Sequence, residues 1–415
     1  MNSEVWETTE EDAATTQRFL GNLLRGEGHD HFAPLGDLRA CVDDPSLAPD
    51  DIRQSMAGEL WSACEMDSLA AWQQESELGH WNNLGSSSRI LPYPVRRPDG
   101  GKSLEERFEV YFTPRDLRVN GNAMDYAVEQ VSKLWPRSKA RLRSLALDDV
   151  SGLADKKTNS GFPRCRVSDW DNYYYHYLEA NRLAERGFPL AEASSYPCIG
   201  TTRSAAVGYG QWAKARALAM YCLVLRQHEK RIQVPGCSAM RTRPEFCSLN
   251  GQDAVDRAVT RLFEADQGEI LSVDFSQFDA TVPFDILTRV FAIIGSWFGP
   301  EDQDLIRFLG EAFMRTGFYL PATQRCPEGY RHGDERTGGV PSGSGLTSWV
   351  DGLANMLAFH YAIRRYNKAS SLGTIHVCGD DGLVTFRGPC SVPALSEIMF
   401  AELGMTVKME PGSNL

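Results

Sequence analysis

The chain has 415 residues, 42% hydrophobic and 24% charged, a length and balance that exclude a fibrous or disordered protein and leave room for two or three lobes. Its net charge of −12 argues at first sight against an anionic ligand, but residues 1–70 hold 15 Asp/Glu against 4 Lys/Arg, so the remainder is close to neutral. Ten cysteines sit singly without a CxxC pair, which excludes a structural zinc site and points to free thiols in a reducing compartment.

The first 85 residues read as an acidic helical segment, with Thr9 as an N-cap, apolar residues at Phe19, Leu20, Leu23 and Leu24, and Gly26 as a stop. The N-terminus is acidic and polar where a signal peptide would be basic and then apolar, and no apolar run reaches membrane-spanning length. A Gly/Ser/Pro-rich stretch, Gly85 to Ser103, marks a boundary. Helices are predicted over 122–147 and 168–187. Residues 203–243 then carry eight Lys/Arg against one acid, Glu229, a pattern that suits an anionic ligand and equally a solvated helix face.

From about residue 250 the periodicities alternate. "DAVDRAVTRLFEA" is helical, "GEILSVDF" has the length of a strand, and "PFDILTRVFAIIGSWFG" and "EDQDLIRFLGEAFMRTG" are helices closed by glycine. The loop "GGVPSGSG" leads into a long helix, "LTSWVDGLANMLAFHYAIRRY". Two apolar runs, "TIHVC" and "GLVTF", flank Gly379-Asp380-Asp381 as a β-hairpin with Asp-Gly at its turn, and a helix and a possible strand, "MTVKM", follow. The pattern is α+β: an antiparallel sheet with helices on one face.

Gly-Asp-Asp alone is an ordinary solvated turn. Its company changes that reading, because Asp274 ends an apolar strand and Asp279 follows five residues later. Carboxylates at a strand end and a neighbouring hairpin tip make the oxygen-rich site that holds two hard cations, Mg²⁺ or Mn²⁺ rather than zinc, around a nucleotide α-phosphate. Like charges gathered there would otherwise only repel.

"DFSQFDAT", "PSGSGLTSWVDGLAN" and "CGDDG", in that order within residues 274–382, resemble motifs A, B and C of viral RNA-dependent RNA polymerases, most closely those of the picobirnavirus and partitivirus group of double-stranded RNA viruses. The resemblance implies a right-hand polymerase: fingers over 86–250, a palm over 251–415 with part of the fingers between motifs A and B, and a thumb and motif E expected beyond Leu415, so that the chain would be partial or the remainder would lie on another chain. It implies Asp274 and Asp380 as principal ligands of two Mg²⁺ or Mn²⁺ ions, with Asp381 a secondary ligand or electrostatic partner. Asp279 would lie beneath the incoming ribose, where a hydrogen-bonding group senses the 2′-hydroxyl. Ser342 and Gly343 fall in the motif B loop, and Thr347 matches a threonine that helps place Asp279.

The picornavirus-like pattern has Asn nine residues after the motif B serine, where this chain has Asp351, and Asn355 follows one helical turn later. Which of the two reaches the ribose stays open in the sequence. "TTRSAAVGYGQWAKARALAMY" resembles motif F, where Lys214 and Arg216, with Arg203, would contact the triphosphate and template; on a strand Lys214 and Arg216 share a face, whereas an amphipathic helix would simply be solvated. "KKTNSGFPR" resembles motif G, with Ser160, Gly161 and Pro163 guiding the template. "ELGMTVKMEPG" resembles the end of motif D, making Lys408 the candidate general acid for pyrophosphate. Expected partners are an RNA template and product, NTPs and a viral capsid protein, in the host cytoplasm or inside the virion.

A reverse transcriptase or nucleotide cyclase would share paired palm carboxylates, but reverse transcriptases have an aromatic residue where this chain has Cys378 and lack the ribose-sensing aspartate. A non-enzymatic RNA-binding or capsid-associated protein would have no need of Asp274 and Asp380 on adjacent strands.

Overall fold

The computed structural model describes residues 107–136, 138–151, 160–162, 170–205, 214–264, 269–320, 330–366, 372–388 and 390–411. The acidic N-terminal segment, the 85–103 boundary and Pro163 lie outside them.

Helix α1 (Gly121–Ser132) begins where the Asn120 side chain accepts the Ala123 N–H, satisfying an otherwise orphaned first-turn donor. The sequence predicts a helix as far as residue 147, but α1 stops at Ser132, because Pro136 disfavours helical backbone at the residue before it. Helices α2 (Leu147–Ser151) and α3 (Trp170–Glu185) precede a hairpin of β1 (Cys198–Ala205) and β2 (Lys214–Met220). Next come α4 (Leu223–Met240), α5 (Gln252–Glu264), β3 (Glu269–Phe275), the single turn α6 (Phe278–Thr281), α7 (Phe284–Trp297) and α8 (Gln303–Arg315). The chain continues through short strands β4 (Phe318–Tyr319) and β5 (Tyr330–Arg331), then α9 (Thr347–Arg365), β6 (Leu372–Cys378), β7 (Asp381–Phe386), α10 (Val392–Leu403) and β8 (Val407–Pro411).

The strands form two four-stranded sheets. One runs β2-β1-β4-β5, with β1 and β4 parallel; the other runs β6-β7-β3-β8 and is antiparallel throughout. In the second sheet β3 buries Leu271, Val273 and Phe275 and leaves Asp274 exposed, the period-two pattern of a strand covered on one side. Val407 and Met409 of β8 point to the same covered side, where α9 packs on β6 and α10 on β8. This is the α+β arrangement the sequence predicts.

Helix α9 is buried continuously from Trp349 to Phe359. It meets α7 through Trp297 and Trp349, whose ring centroids are 6.2 Å apart, and it meets α4 at Gly236, where a Cβ would come within 2.3 Å of the Trp349 ring. The two polar residues in that buried run are Asp351 and Asn355, one turn apart. A buried acid and a buried amide on a central helix each need a partner, and both find theirs at the end of the second sheet.

Candidate active site

Strands β6 and β7 pair from Leu372 to Cys378, ending in Cys378 opposite Asp381, so the two loop residues are Gly379 and Asp380. The predicted Asp-Gly turn is therefore displaced: Gly379 takes the position needing positive φ, at +65°, and Asp381 and Gly382 begin β7. Strand β7 lies beside β3 with Val273 opposite Gly382; one step further brings Asp274 level with Asp381. On its other side Asp274 is paired with Lys408 of β8, and opposite residues of an antiparallel pair share a face. Asp274 and Asp381 are exposed and Asp380 is half-buried at the hairpin tip. The register thus sets three aspartates, from segments a hundred residues apart, at one end of one sheet.

Beneath the tip, the Asn355 Nδ2 donates to the carbonyls of Gly379, Asp380 and Asp381 at 3.2, 3.1 and 3.3 Å. Asn355 is fully buried and spent on holding the turn. Asp351, one turn earlier and 3% exposed, faces Asp279 and Asp380. Burial above all, then the negative charges of Asp279 and Asp380 and a hydrogen bond with Asp279, push its carboxyl well above the usual range. Of the two candidates left open in the sequence, Asp351 is the one beside Asp279.

Asp279 is fixed from both directions. Gln277 adopts left-handed backbone (φ +53°) at the start of α6, turning the chain sharply off β3. Across it runs a strap in which Gly339 N–H donates to the Val282 carbonyl and Val340 N–H to that of Asp279, at 2.7 and 2.5 Å, while the Tyr111 hydroxyl donates to the Val340 carbonyl. The buried Arg336 holds this strap, donating to the carbonyls of Phe313, Thr316, Gly338 and Gly339 among the rings of Tyr111, Phe284 and Phe318; burial lowers its pKa to about 10.

The loop after the strap lies against β2. Ser342 Oγ accepts the Ala219 N–H at 3.1 Å, and a Cβ on Gly343 would sit 1.9 Å from the Ala219 carbonyl oxygen, so only glycine allows this approach. Thr347 Oγ1 donates to the carbonyls of Pro341 and Ser344, both at 3.0 Å, and so shapes the loop.

Residues 212–413 match the family model described as viral RNA-dependent RNA polymerase. The match takes in just under half of the chain. Two solved structures share the fold: the RNA-dependent RNA polymerase of a human picobirnavirus (16% identity, TM-score 0.53, covering 85% of this chain and 67% of that one) and its insertion-loop deletion mutant (17% identity, TM-score 0.56, covering 85% and 69%). No curated protein matches the chain. The likeness to these two structures is one of fold: the chain shares the fold of a picobirnavirus RNA-dependent RNA polymerase.

In this chain the segment carrying Lys214 and Arg216 is a strand, not a helix, and the β1–β2 register sets Arg203 directly opposite Arg216. The backbone accordingly gathers the three expected basic residues on one hairpin, with Lys214 opposite Ala205. Ser160 is fully buried, its hydroxyl donating to the Gly161 carbonyl at 3.3 Å and its carbonyl accepting the Leu223 N–H at 2.8 Å. Gly161 has φ +66° with the Tyr221 carbonyl 2.7 Å from where a Cβ would lie. Lys408 is exposed and paired with Glu410, and that partner, followed by Asp274, raises its pKa.

Sequence reading missed Arg336, which carries no motif, and the role of Glu229, whose signal was a lone acid in a basic run. Among the described residues no three His, Cys, Asp or Glu side chains converge tightly enough to hold a cation unaided, and no helix is long and apolar enough to cross a membrane.

Proposed function

We propose that the chain carries out template-directed transfer of nucleotides from NTPs to an RNA 3′ end, replicating and transcribing a viral RNA genome, with Asp274 and Asp380 as the principal ligands of two Mg²⁺ or Mn²⁺ ions. The observation that carries this reading is the strand register, which puts Asp274, Asp380 and Asp381 at one end of the β6-β7-β3-β8 sheet, two of them open to solvent. The donor set is hard oxygen, which fits these ions and leaves coordination positions for substrate phosphates. Bound there, the ions would activate the attacking 3′-hydroxyl and steady the pyrophosphate leaving group.

The chain's own groups supply positioning. Asn355 keeps the Gly379-Asp380 turn from drifting away from Asp274. Asp279, hydrogen-bonded to the buried Asp351, presents an acceptor to a ribose 2′-hydroxyl. Lys408, beside Asp274 in the ladder, is placed to give a proton to the leaving group. Arg203, Lys214 and Arg216 meet triphosphate and template phosphates, with Asp381 as the secondary ligand. In this reading the first sheet belongs to fingers and the second to the palm, with Gly161 and its neighbours beside the template path and a capsid protein as a further partner.

The test has two readouts. With single-stranded RNA, labelled NTPs and Mg²⁺ or Mn²⁺, the protein is expected to build template-length RNA that disappears on chelation. Mn²⁺ bound in the presence of a nonhydrolysable NTP, followed by electron paramagnetic resonance, should fall at least about tenfold in affinity in Asp274→Asn/Asp380→Asn. Unchanged Mn²⁺ binding by the double variant would overturn the ligand assignment.

A further inference from the structure

The Ser342–Gly343 loop is held by a group outside the site described so far. Glu229 lies on α4 and is 1% exposed. Its Oε1 accepts the Ser344 hydroxyl at 2.5 Å and its Oε2 accepts the Gly345 N–H at 2.7 Å. The Ser344 Oγ in turn accepts the Leu346 N–H at 3.0 Å, and Gln233, one turn along α4, donates to the Gly345 carbonyl. Both carboxylate oxygens are therefore committed to two consecutive residues of one loop, directly after the residues that lean on β2. Resting on the polymerase reading, we propose that Glu229 is a positioning residue: its carboxylate latches the Ser344–Gly345 backbone to α4 and thereby sets where Ser342 and Gly343 meet the template and nascent base pair.

A buried acid is a costly way to hold a loop unless its ionisation matters. Two donors aimed at two oxygens suit the carboxylate; a protonated carboxyl has to turn one oxygen into a donor and loses one of the two bonds. Burial pushes Glu229 up to about 7, against the lowering effect of Ser344, Gly345 and Arg226. The charged group acting on it is Arg226 of its own helix. Tyr221, Cys198 and Cys222, which sense Glu229 from β1 and from the start of α4, are themselves neutral, with the two thiols near 12 and 11. The loop side contributes only the Ser344 hydroxyl and backbone. A cavity of about 230 Å³ beside the latch, lined by Arg226, Gln227, Lys230 and Gly343–Gly345, gives the released loop room to move.

The latch is thus engaged above neutrality and loosened below it. Hydrogen–deuterium exchange of the peptide spanning 340–346 in the full chain, corrected for intrinsic exchange rates, should be about tenfold less protected at pH 6 than at pH 8. In Glu229→Gln, which permanently lacks one acceptor, it should be poorly protected at both. The same variant should lower kcat for nucleotide incorporation about tenfold and abolish the inflection near pH 7, and Ser344→Ala should produce part of the same loss. Equal protection at both pH values in the wild type, or an unchanged profile in Glu229→Gln, would overturn the proposal. Exchange does not depend on catalysis, so a chain that makes no RNA would count against the polymerase reading while the latch is still decided.

Discussion

Asn355 illustrates how little of a side chain's task its identity reveals. Its amide spans three consecutive carbonyls of the hairpin tip, so replacing it with Leu keeps volume and helix but leaves those carbonyls buried without a donor. Asn355→Leu is expected to cost about 1–2 kcal/mol in chemical denaturation and to lower incorporation about tenfold or more as Asp380 drifts. Asp279→Ala has a different signature, because a site built to hydrogen-bond a hydroxyl discriminates strongly against substrates lacking one. Its expected effect is a fall of about tenfold or more in the preference for an NTP over the matching dNTP, measured as a ratio of kcat/KM values; an unchanged ratio would remove Asp279 from ribose sensing. The sequence set Asp351 and Asn355 side by side as equals. Burial separated them, since one is held against Asp279 with its carboxyl pushed above the usual range and the other is spent on backbone.

At the scale of elements, the site is a meeting of one sheet end with one loop. The strands and most helices were legible because period-two and helical patterns survive in "GEILSVDF" and "PFDILTRVFAIIGSWFG", and the order of the three motifs fixed which strands must be neighbours. The α1 end, the Gly-Asp turn and the strap held by Arg336 were not legible. The first is set by a proline several residues on, the second by which residue takes positive φ, and the third by carbonyls contributed from distant segments. Gly343 gives the sharpest test at this scale. A single methyl would collide with the Ala219 carbonyl, so Gly343→Ala must push the loop off β2, with about 1–3 kcal/mol lost in stability and a larger fractional loss of RNA synthesis. Retention of full activity would show that the contact between loop and β2 does not matter for catalysis.

At the scale of the whole molecule, buried ionisable groups tie stability to pH. His228 donates from Nε2 to the Ala180 carbonyl, and burial, with Arg231 nearby, holds its pKa down at about 3. Its folded value lies below the unfolded one, so the stability it confers is present above pH 6.5 and is lost as pH falls toward the folded value. The stability gap between wild type and His228→Gln should therefore shift by about 2 kcal/mol, in disfavour of the wild type, between pH 6.5 and pH 5. Urea denaturation at the two pH values measures it, and a constant gap would mean that His228 has the same pKa in the folded and unfolded states. Glu229 works in the opposite sense: its folded value lies above the unfolded one, so its contribution is greatest at low pH and declines through pH 7. The group that tightens the loop at high pH thus does so at some expense to global stability, a separation that is informative because activity and stability should move in opposite directions.

The most direct test of the central claim is incorporation of labelled nucleotide on a single-stranded RNA template by Asp380→Asn, compared with wild type at matched RNA affinity and thermal midpoint. The metal-ligand assignment predicts a loss of about a thousandfold or more with the fold intact. Undiminished synthesis by a folded, RNA-binding Asp380→Asn protein would contradict it.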